Sequence, residues 1–309
     1  MSEWLKVFAP ATVANVGPGY DVFGFALHEP GDVVEVRKIE EPLVRVAEVT
    51  GDGGKLPRDS SENTAGVAAT EVWKLLRADA GVEMKLHKGM PLGSGLGSSA
   101  ASAAAAAWAV NVLFGKPLEK EALLPACMAG EKAASGTAHA DNAAPSLLGG
   151  FVLIRSYDPL DVVPLAAPEA LVAVVATPAC ELKTAEARAA VPEKIPLKDA
   201  VRNWGNVSAV TAALFTNDIR LLGRAMDDRV AEPARAPLVP GFHDVKRAAL
   251  EHGAYGCSMS GAGPSVFAVT DDRAAAKKIA AAMQAAFAGH GLESRTFVSN
   301  VNKEGAKVI

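Results

Sequence analysis

The chain has 309 residues, of which 50% are hydrophobic and 21% are charged, with 31 lysines and arginines against 35 aspartates and glutamates. This length predicts two domains, and the composition excludes a disordered chain because it supplies enough apolar surface for a core. The net charge is −4 and no cluster of basic residues offsets it. We therefore expect neither nucleic acid nor an anionic membrane as a partner.

Three cysteines, Cys127, Cys180 and Cys257, lie far apart in the sequence. Their number and spacing fit neither a disulfide framework nor a metal site, and they favour a reducing compartment. The N-terminal residues lack the basic start and apolar segment of a signal peptide, and the longest weakly polar run, residues 100–114, is too short to span a bilayer. A cytoplasmic protein is expected.

The first half of the chain predicts both strands and helices. Short or alternating apolar runs predict strands, and apolar residues at helical spacing predict helices. The predicted strands are residues 4–8, 32–39, 83–87 and 151–154, and the predicted helices are residues 63–77, 99–114 and 118–135. Glycines and prolines predict loops at residues 10–21 and 91–97, and three prolines in residues 158–168 predict a crossing between domains.

The second half opens on a continuous apolar run, residues 171–176, which is typical of a strand buried on both faces. The remaining predicted elements are helices at residues 206–215, 219–230, 243–252 and 274–288, and strands at residues 265–269 and 295–301. Helices and strands that alternate in this way predict a compact α/β second domain.

The most informative motif is the segment Pro91–Ala101, PLGSGLGSSAA, which joins a predicted strand to a long predicted helix. Glycines let a backbone turn its N–H groups toward a ligand, and a helix N-terminus adds free donors that favour an anion. A Walker A loop is excluded because the segment has no lysine, and a Rossmann fingerprint is excluded because Ser98 stands where a third glycine is needed. Ser98 and Ser99 are interpreted either as helix caps or as hydroxyls for phosphate or Mg²⁺; an ordinary glycine-rich turn is the alternative.

Two further segments accompany this loop in chain order, residues 10–21 (PATVANVGPGYD) and residues 258–265 (SMSGAGPS). Together the three segments resemble the GHMP kinase superfamily, and in detail its homoserine kinases. The resemblance covers nearly the whole chain. It implies ATP-dependent phosphorylation of the side-chain hydroxyl of L-homoserine, a step of threonine biosynthesis.

The resemblance implies an α+β fold of two domains, an ATP-binding N-terminal domain (residues 1–160) with a left-handed β-α-β unit and a ferredoxin-like C-terminal domain (residues 161–309). It implies that ATP binds between them and that Ser99 and Glu131 hold Mg²⁺, a cation that commonly takes one or two oxygen ligands from protein. The implied ATP-binding residues are Asn63, Pro91, Leu92, Gly93, Ser94, Gly95, Leu96, Gly97, Ser98, Ser99, Ala100 and Ala101.

The resemblance also implies a site for a zwitterionic amino acid. Asp21 matches a group for the ammonium, and Arg188 and Arg235 match a pair for the carboxylate, which is chemically apt because guanidinium groups bind carboxylates bidentately. The implied substrate-binding residues are Asn15, Asp21, His139, Thr184, Arg188 and Arg235. A homodimer is expected from the resemblance alone.

No catalytic base is evident. Mevalonate-kinase-like members have a lysine where Thr12 stands and an aspartate base where Asn142 stands, although Asp141 is one residue away, and homoserine kinases share the lack of an obvious base. Asn15, His139 and Asn142 remain the candidates for positioning the reacting groups, since phosphoryl transfer depends mainly on positioning and charge neutralisation. The alternative functions are a GHMP kinase for another alcohol such as mevalonate, and a catalytically silent sensor of ATP and a metabolite.

Overall fold

The structure is a computed structural model that describes residues 3–309, with the side chains of residues 134 and 135 left undescribed. A seven-stranded sheet takes nearly all its strands from the first half of the chain. Its strands are β1 (Leu5–Ala14), β2 (Phe23–Ile39), β3 (Val44–Thr50), β4 (Gly81–His87), β5 (Phe151–Tyr157), β6 (Leu160–Leu165) and, from the C-terminus, β11 (Lys307–Val308). The order is β11-β1-β2-β4-β3, with β5 paired to β2 and β6 to β5.

Four helices cover this sheet: α1 (Thr64–Leu75), α2 (Ser98–Leu113), α3 (Leu124–Ser135) and α4 (Ala140–Leu148). The β3 and β4 strands are parallel, so β3, α1 and β4 form a β-α-β unit. Helix α2 is buried over nearly its whole length and contacts β1, β2 and the other three helices. Its alanines allow this because small side chains let neighbouring backbones approach closely. The Gly-rich loop is therefore attached to a rigid, central helix.

The second sheet has four antiparallel strands in the order β10-β7-β9-β8, namely β7 (Val172–Pro178), β8 (Gly256–Met259), β9 (Val266–Thr270) and β10 (Ser294–Asn300). Alternate residues of β7 belong to two different hydrophobic cores: Ala173 and Val175 face the large core shared with the first sheet, and Val172 and Val174 face a smaller one. The prediction of a strand buried on both faces is confirmed.

Six helices belong to this half: α5 (Thr184–Ala189), α6 (Leu197–Thr216), α7 (Ile219–Ala225), α8 (Ala231–Arg235), α9 (Phe242–Glu251) and α10 (Arg273–Gly289). Helices α9 and α10 cover the smaller core. None of the helices within residues 3–309 has both the length and the apolar character needed to cross a membrane. The two-sheet α+β architecture agrees with the predicted fold class, whereas the domain boundary at residue 160 stays a prediction.

Several predicted boundaries are wrong. The predicted loop 10–21 contains the end of β1, which continues to Ala14 because Thr12, Val13 and Ala14 pair with β2 beyond an irregularity at Pro10. The predicted helix 118–135 begins as a 3₁₀ turn, Lys120–Leu123, and α3 starts beside Pro125, which is well tolerated in a first helical turn. The proline-rich segment 158–168 holds β6, which pairs with β5 as a hairpin, and its role as a crossing between domains stays a prediction.

Candidate active site

One cavity of about 320 Å³ collects most of the predicted site residues from both halves of the chain. It is lined by Asn15, Asp21, Asn63, Leu92, Gly93, Ser94, Gly95, Gly97, Ser98, Ser99, Glu131, His139, Asn142, Thr184, Arg188 and Arg235. The four remaining predicted residues, Pro91, Leu96, Ala100 and Ala101, are outside this lining. Leu96, Ala100 and Ala101 are instead fully buried in the core behind the loop, where they fix its position.

The Gly-rich loop has the conformation that its glycines predict. Gly93, Gly95 and Gly97 all have positive φ, between 62° and 78°, a region that L-residues avoid. The second glycine-rich segment holds the loop in place, since the Ser260 hydroxyl donates to the Gly95 carbonyl and the Ser265 hydroxyl to that of Ser94. The two segments that looked independent in the sequence therefore form one structure.

Helix α2 begins at a glycine cap. Gly97 is the N-cap and makes no side-chain capping bond, so the interpretation of Ser98 or Ser99 as the cap is wrong. The hydroxyls of Ser94 and Ser98 are buried, and neither has a hydrogen-bond partner within the described residues. Buried polar atoms normally have a partner. Together with the helix N-terminus they fit a ligand rich in anionic oxygen atoms, such as a triphosphate.

A buried lysine that was not predicted from the sequence lies beneath this loop. Lys88, in the segment between β4 and the loop, pairs with Asp32 of β2 and donates to the Ser98 carbonyl and the Ser102 hydroxyl at 2.7 Å. Both charged side chains are almost completely buried, and Lys88 lines the cavity. The available signal was a lysine directly before a Gly-rich loop. Its partner is 56 residues away, which no local pattern reveals.

Glu131 and Ser99, the predicted Mg²⁺ ligands, both line the cavity. Glu131 is buried on α3, and its Oε2 is 3.5 Å from Nδ1 of His139. Burial lowers the pKa of His139, but the Glu131 carboxylate and Asp141 raise it by more, so the net shift is upward. Residues 3–309 contain no cluster of three metal-ligating side chains. These two residues therefore fit a cation that takes most of its ligands from phosphate and water.

Asp21 and Arg188 also line the cavity, and they form an ion pair. Arg188 Nη2 donates to both carboxylate oxygens of Asp21, at 3.0 and 2.9 Å. Its Nε is buried and has no acceptor among the described residues. Arg235 lies deeper and donates to the carbonyls of Ala187 and Gly261. Both guanidinium groups lie over the ring of Tyr20, at 5.4 and 5.0 Å from its centroid.

The first predicted motif adopts a constrained backbone near this ion pair. Asn15, Val16 and Asp21 have positive φ values of 68°, 48° and 58°, and for a β-branched valine this is a true outlier. The Asn15 amide oxygen accepts from the Asp21 N–H and its amide nitrogen donates to the Gly261 carbonyl. Asn15 thus joins the motif to the second glycine-rich segment. Strain of this kind concentrates at functional sites.

The centre of the cavity holds Asp141 and Asn142 at the start of α4. The Thr12 hydroxyl donates to Asn142 Oδ1 at 2.8 Å, so the two positions where the sequence departs from mevalonate-kinase-like members contact each other. Asp141, which the sequence analysis did not place in the site, also lines the cavity. Burial raises the pKa of Asp141 to about 7, and the nearby Asp21 adds to the rise. A carboxyl group that titrates near neutrality is typical of a functional site.

Two family profiles match this chain. The family described as GHMP kinases N terminal domain matches residues 64–150, and that described as GHMP kinases C terminal matches residues 210–289. The first match contains the Gly-rich loop and Glu131. The second ends before the last strand of the second sheet. Both halves therefore carry the signature that the three motifs predict.

Full-length relatives are homoserine kinases. That of Chlorobium phaeobacteroides (strain DSM 266) is 49% identical, over 99% of this chain and 99% of its own length, and that of Arabidopsis thaliana is 46% identical, over 99% and 84%. The crystal structure of homoserine kinase from Cytophaga hutchinsonii matches with a TM-score of 0.97 and 51% identity, over 100% of this chain and 98% of that one. Mevalonate kinase from L. major shares the fold alone, at 17% identity and a TM-score of 0.74. The chain belongs to the homoserine kinase family of the GHMP kinases.

Proposed function

We propose that this chain transfers the terminal phosphoryl group of ATP to the side-chain hydroxyl of L-homoserine. The observation that carries the proposal is one cavity that is lined by an anion-binding loop and also by one carboxylate beside two arginines. The hydroxyl oxygen bonds to the γ-phosphorus, the bond from that phosphorus to the bridging oxygen of ADP breaks, and the hydroxyl loses its proton. O-phosphohomoserine and ADP are the products.

The Gly-rich loop supports ATP as the donor. The backbone of Gly93–Gly97, the N-terminus of α2 and the hydroxyls of Ser94 and Ser98 present hydrogen-bond donors to one volume. Ser99 and Glu131 would hold Mg²⁺, which when bound neutralises the negative charge of the phosphates. Asn63 caps α1 through its amide oxygen and also lines the cavity, so it joins the nucleotide pocket to a fixed helix end.

The carboxylate and the two arginines support a zwitterionic alcohol. Arg188 and Arg235 supply donors for a planar carboxylate, and Asp21 supplies an acceptor for an ammonium group. Mevalonate has a carboxylate but no ammonium, so it would use only half of this arrangement. Thr184 begins α5, the helix that also carries Arg188, and lines the same cavity.

Proton removal does not need a strong base in this arrangement. In a loose transition state the attacking hydroxyl oxygen donates little negative charge to the phosphorus. The rate therefore depends mainly on positioning and on charge neutralisation. Asn142 is held by Thr12 and contributes an amide rather than a carboxylate. Asp141 and His139 are titratable groups on the same cavity wall and are the acceptors to test.

The direct test measures ADP release with homoserine, mevalonate, shikimate and galactose as acceptors. We expect turnover with homoserine alone, and turnover with a different acceptor instead would refute the proposal. Arg235→Ala should raise the KM for homoserine about 10–100-fold while leaving the KM for ATP nearly unchanged, because charge-assisted hydrogen bonds are lost. The same variant should change the KM for 2-aminobutane-1,4-diol little, because this alcohol lacks the carboxylate.

We also propose that two copies of this chain associate through one face of α6. Leu197, Val201, Trp204 and Phe215 are each more than half exposed, and their spacing of four, three and eleven residues places them on one side of the helix. They expose roughly 500 Å² together, so two copies would bury about 1,000 Å², which reaches the lower range of specific interfaces.

Light scattering after size-exclusion chromatography tests this association. The wild type should run as a dimer, and Phe215→Lys should run as a monomer that keeps the circular dichroism spectrum of the folded protein. Leu75→Lys changes a similarly exposed leucine on α1, outside this face, and serves as the matched control. A monomeric wild type, or equal effects of the two substitutions, would rule out this surface.

A further inference from the structure

The ion pair between Asp21 and Arg188 joins the two groups that the proposed function assigns to opposite ends of the substrate. Arg188 Nη2 bonds both oxygens of Asp21, so each charge is neutralised by the other. The side chains are 28% and 32% exposed, which places the pair between a surface salt bridge and a buried one. A ligand that uses Arg188 Nη2 or both oxygens of Asp21 must therefore compete with this ion pair.

The surroundings hold the two backbones while leaving the side chains to move. The Asp21 N–H donates to Asn15 Oδ1, and the Asp21 carbonyl accepts from the Tyr157 hydroxyl at 3.0 Å. Arg188 lies on the short helix α5 and packs over the ring of Tyr20. None of these contacts uses the carboxylate of Asp21.

Arg235 cannot replace Arg188 as the partner of Asp21 without breaking its own anchors. It donates to two main-chain carbonyls and is almost completely buried. Asp141 is also nearby, and in its ionised form its negative charge disfavours an isolated Asp21 carboxylate. Separation of the pair thus leaves Asp21 beside a like charge and Arg188 beside a second guanidinium.

We propose that this internal ion pair is a selectivity device that favours zwitterions over ligands of single charge. The inference rests on the proposed function and deepens it. A zwitterion replaces one ion pair with two, since its ammonium meets Asp21 and its carboxylate meets Arg188. A ligand with only one of these charges breaks the ion pair between Asp21 and Arg188 and forms only one new ion pair. The other protein charge is then left without a partner.

The proposal predicts a reciprocal effect that simple contact loss does not. Asp21→Asn removes the competitor for Arg188, so a monoanion should bind this variant more tightly than the wild type. Arg188→Gln removes the competitor for Asp21, so a monocation should gain there. Homoserine should lose affinity in both variants. Asparagine tolerates the positive φ of residue 21, so the backbone of the Asp21 variant is preserved.

The experiment measures dissociation constants for homoserine, 4-hydroxybutanoate and 3-aminopropan-1-ol by calorimetry, with ligand-observed NMR for millimolar values. In Asp21→Asn the constant for 4-hydroxybutanoate should fall about 2–5-fold, the range of a partly exposed pair. In Arg188→Gln the constant for 3-aminopropan-1-ol should fall similarly. Homoserine should weaken at least about tenfold in each.

Two controls separate pairing from general electrostatics. Asp141→Asn removes a second negative charge from the same cavity but no hydrogen bond to Arg188. At about pH 8, above the pKa of Asp141, an equal gain for 4-hydroxybutanoate in this variant would mean that net charge alone explains the effect. The double variant with Asn at position 21 and Gln at position 188 should lose the gain for both ligands.

The proposal is overturned if neither single-charge ligand binds its variant more tightly than it binds the wild type, including the case in which no binding is detected. The proposed function fails on a different result, namely wild-type protein that neither binds nor phosphorylates homoserine. Because the reciprocal gains are read from equilibrium binding of the two single-charge ligands, the two failures are distinguishable.

Discussion

A methyl group added at Gly95 should break the contact between the two glycine-rich segments. This residue has φ +78°, and a Cβ there would lie 2.6 Å from the carbonyl oxygens of both Ser260 and Gly263. The segment that carries these oxygens is held by main-chain hydrogen bonds: Gly263 N–H donates to Ser260 O, and Gly261 N–H donates to the carbonyl of Ala14. The obstruction therefore comes from fixed backbone rather than from a side chain that could rotate away.

The expected loss of stability in Gly95→Ala has two contributions. A left-handed conformation costs an alanine about 1–2 kcal/mol, and forcing a methyl group between fixed atoms costs about 1–3 kcal/mol more. Gly95→Ala should therefore lower the free energy of unfolding by about 2–5 kcal/mol. The variant should also weaken ATP binding by about tenfold or more, since the loop must shift. A loss of stability is thus expected along with the loss of ATP binding, because the obstruction is protein backbone.

Urea denaturation and calorimetric titration with ATP measure the two effects. Gly54→Ala is the matched control, because Gly54 has φ +75° and a Cβ there meets no atom within 4 Å. Gly54→Ala should lower the free energy of unfolding only by the cost of the left-handed conformation, about 1–2 kcal/mol, and should leave the ATP affinity unchanged. Equal destabilisation by the two substitutions, or an unchanged ATP affinity in Gly95→Ala, would refute the reasoning.

Three other perturbations follow from the site. Glu131→Gln should lower kcat about 100-fold or more at saturating Mg²⁺ while homoserine affinity changes little, and near-normal turnover would remove Glu131 from the metal site. Lys88→Met leaves the buried Asp32 carboxylate unpaired and should cost about 3–5 kcal/mol of stability; Asp32→Asn in the same chain should recover part of it, and no recovery would argue against the pair. Folded Asp141 keeps its proton between its ordinary pKa of 3.8 and about 7, while the unfolded chain releases it, so its contribution to stability falls as the pH rises through this window. Asp141→Asn should therefore raise the melting temperature more at about pH 8 than at about pH 4, and a pH-independent change would contradict the raised pKa.

The Gly-rich loop shows how much of this site a local pattern determines. Glycines at positions 93, 95 and 97 predict positive φ and a helix start because these are properties of the residues themselves, and the structure has both. The interpretation of Ser98 as a helix cap is wrong because the position of the cap depends on the backbone conformation before the helix. Gly97 has a left-handed conformation and is itself the N-cap. The sequence places the loop and the helix correctly but does not specify how the serine hydroxyls point.

The sequence by itself determined the Gly-rich loop and the doubly buried strand β7, because these depend on short-range conformational preference and on hydrophobic periodicity, and the resemblance of its three motifs to a known family gave the α+β fold class. Only the tertiary structure decided the pairings that shape the site. Asp21 meets Arg188 across 167 residues, Thr12 meets Asn142 across 130 and Lys88 meets Asp32 across 56. A charged or polar side chain carries no local sign of its partner, since the partner is chosen by the packing of whole sheets and helices, and no periodicity along the chain records that choice.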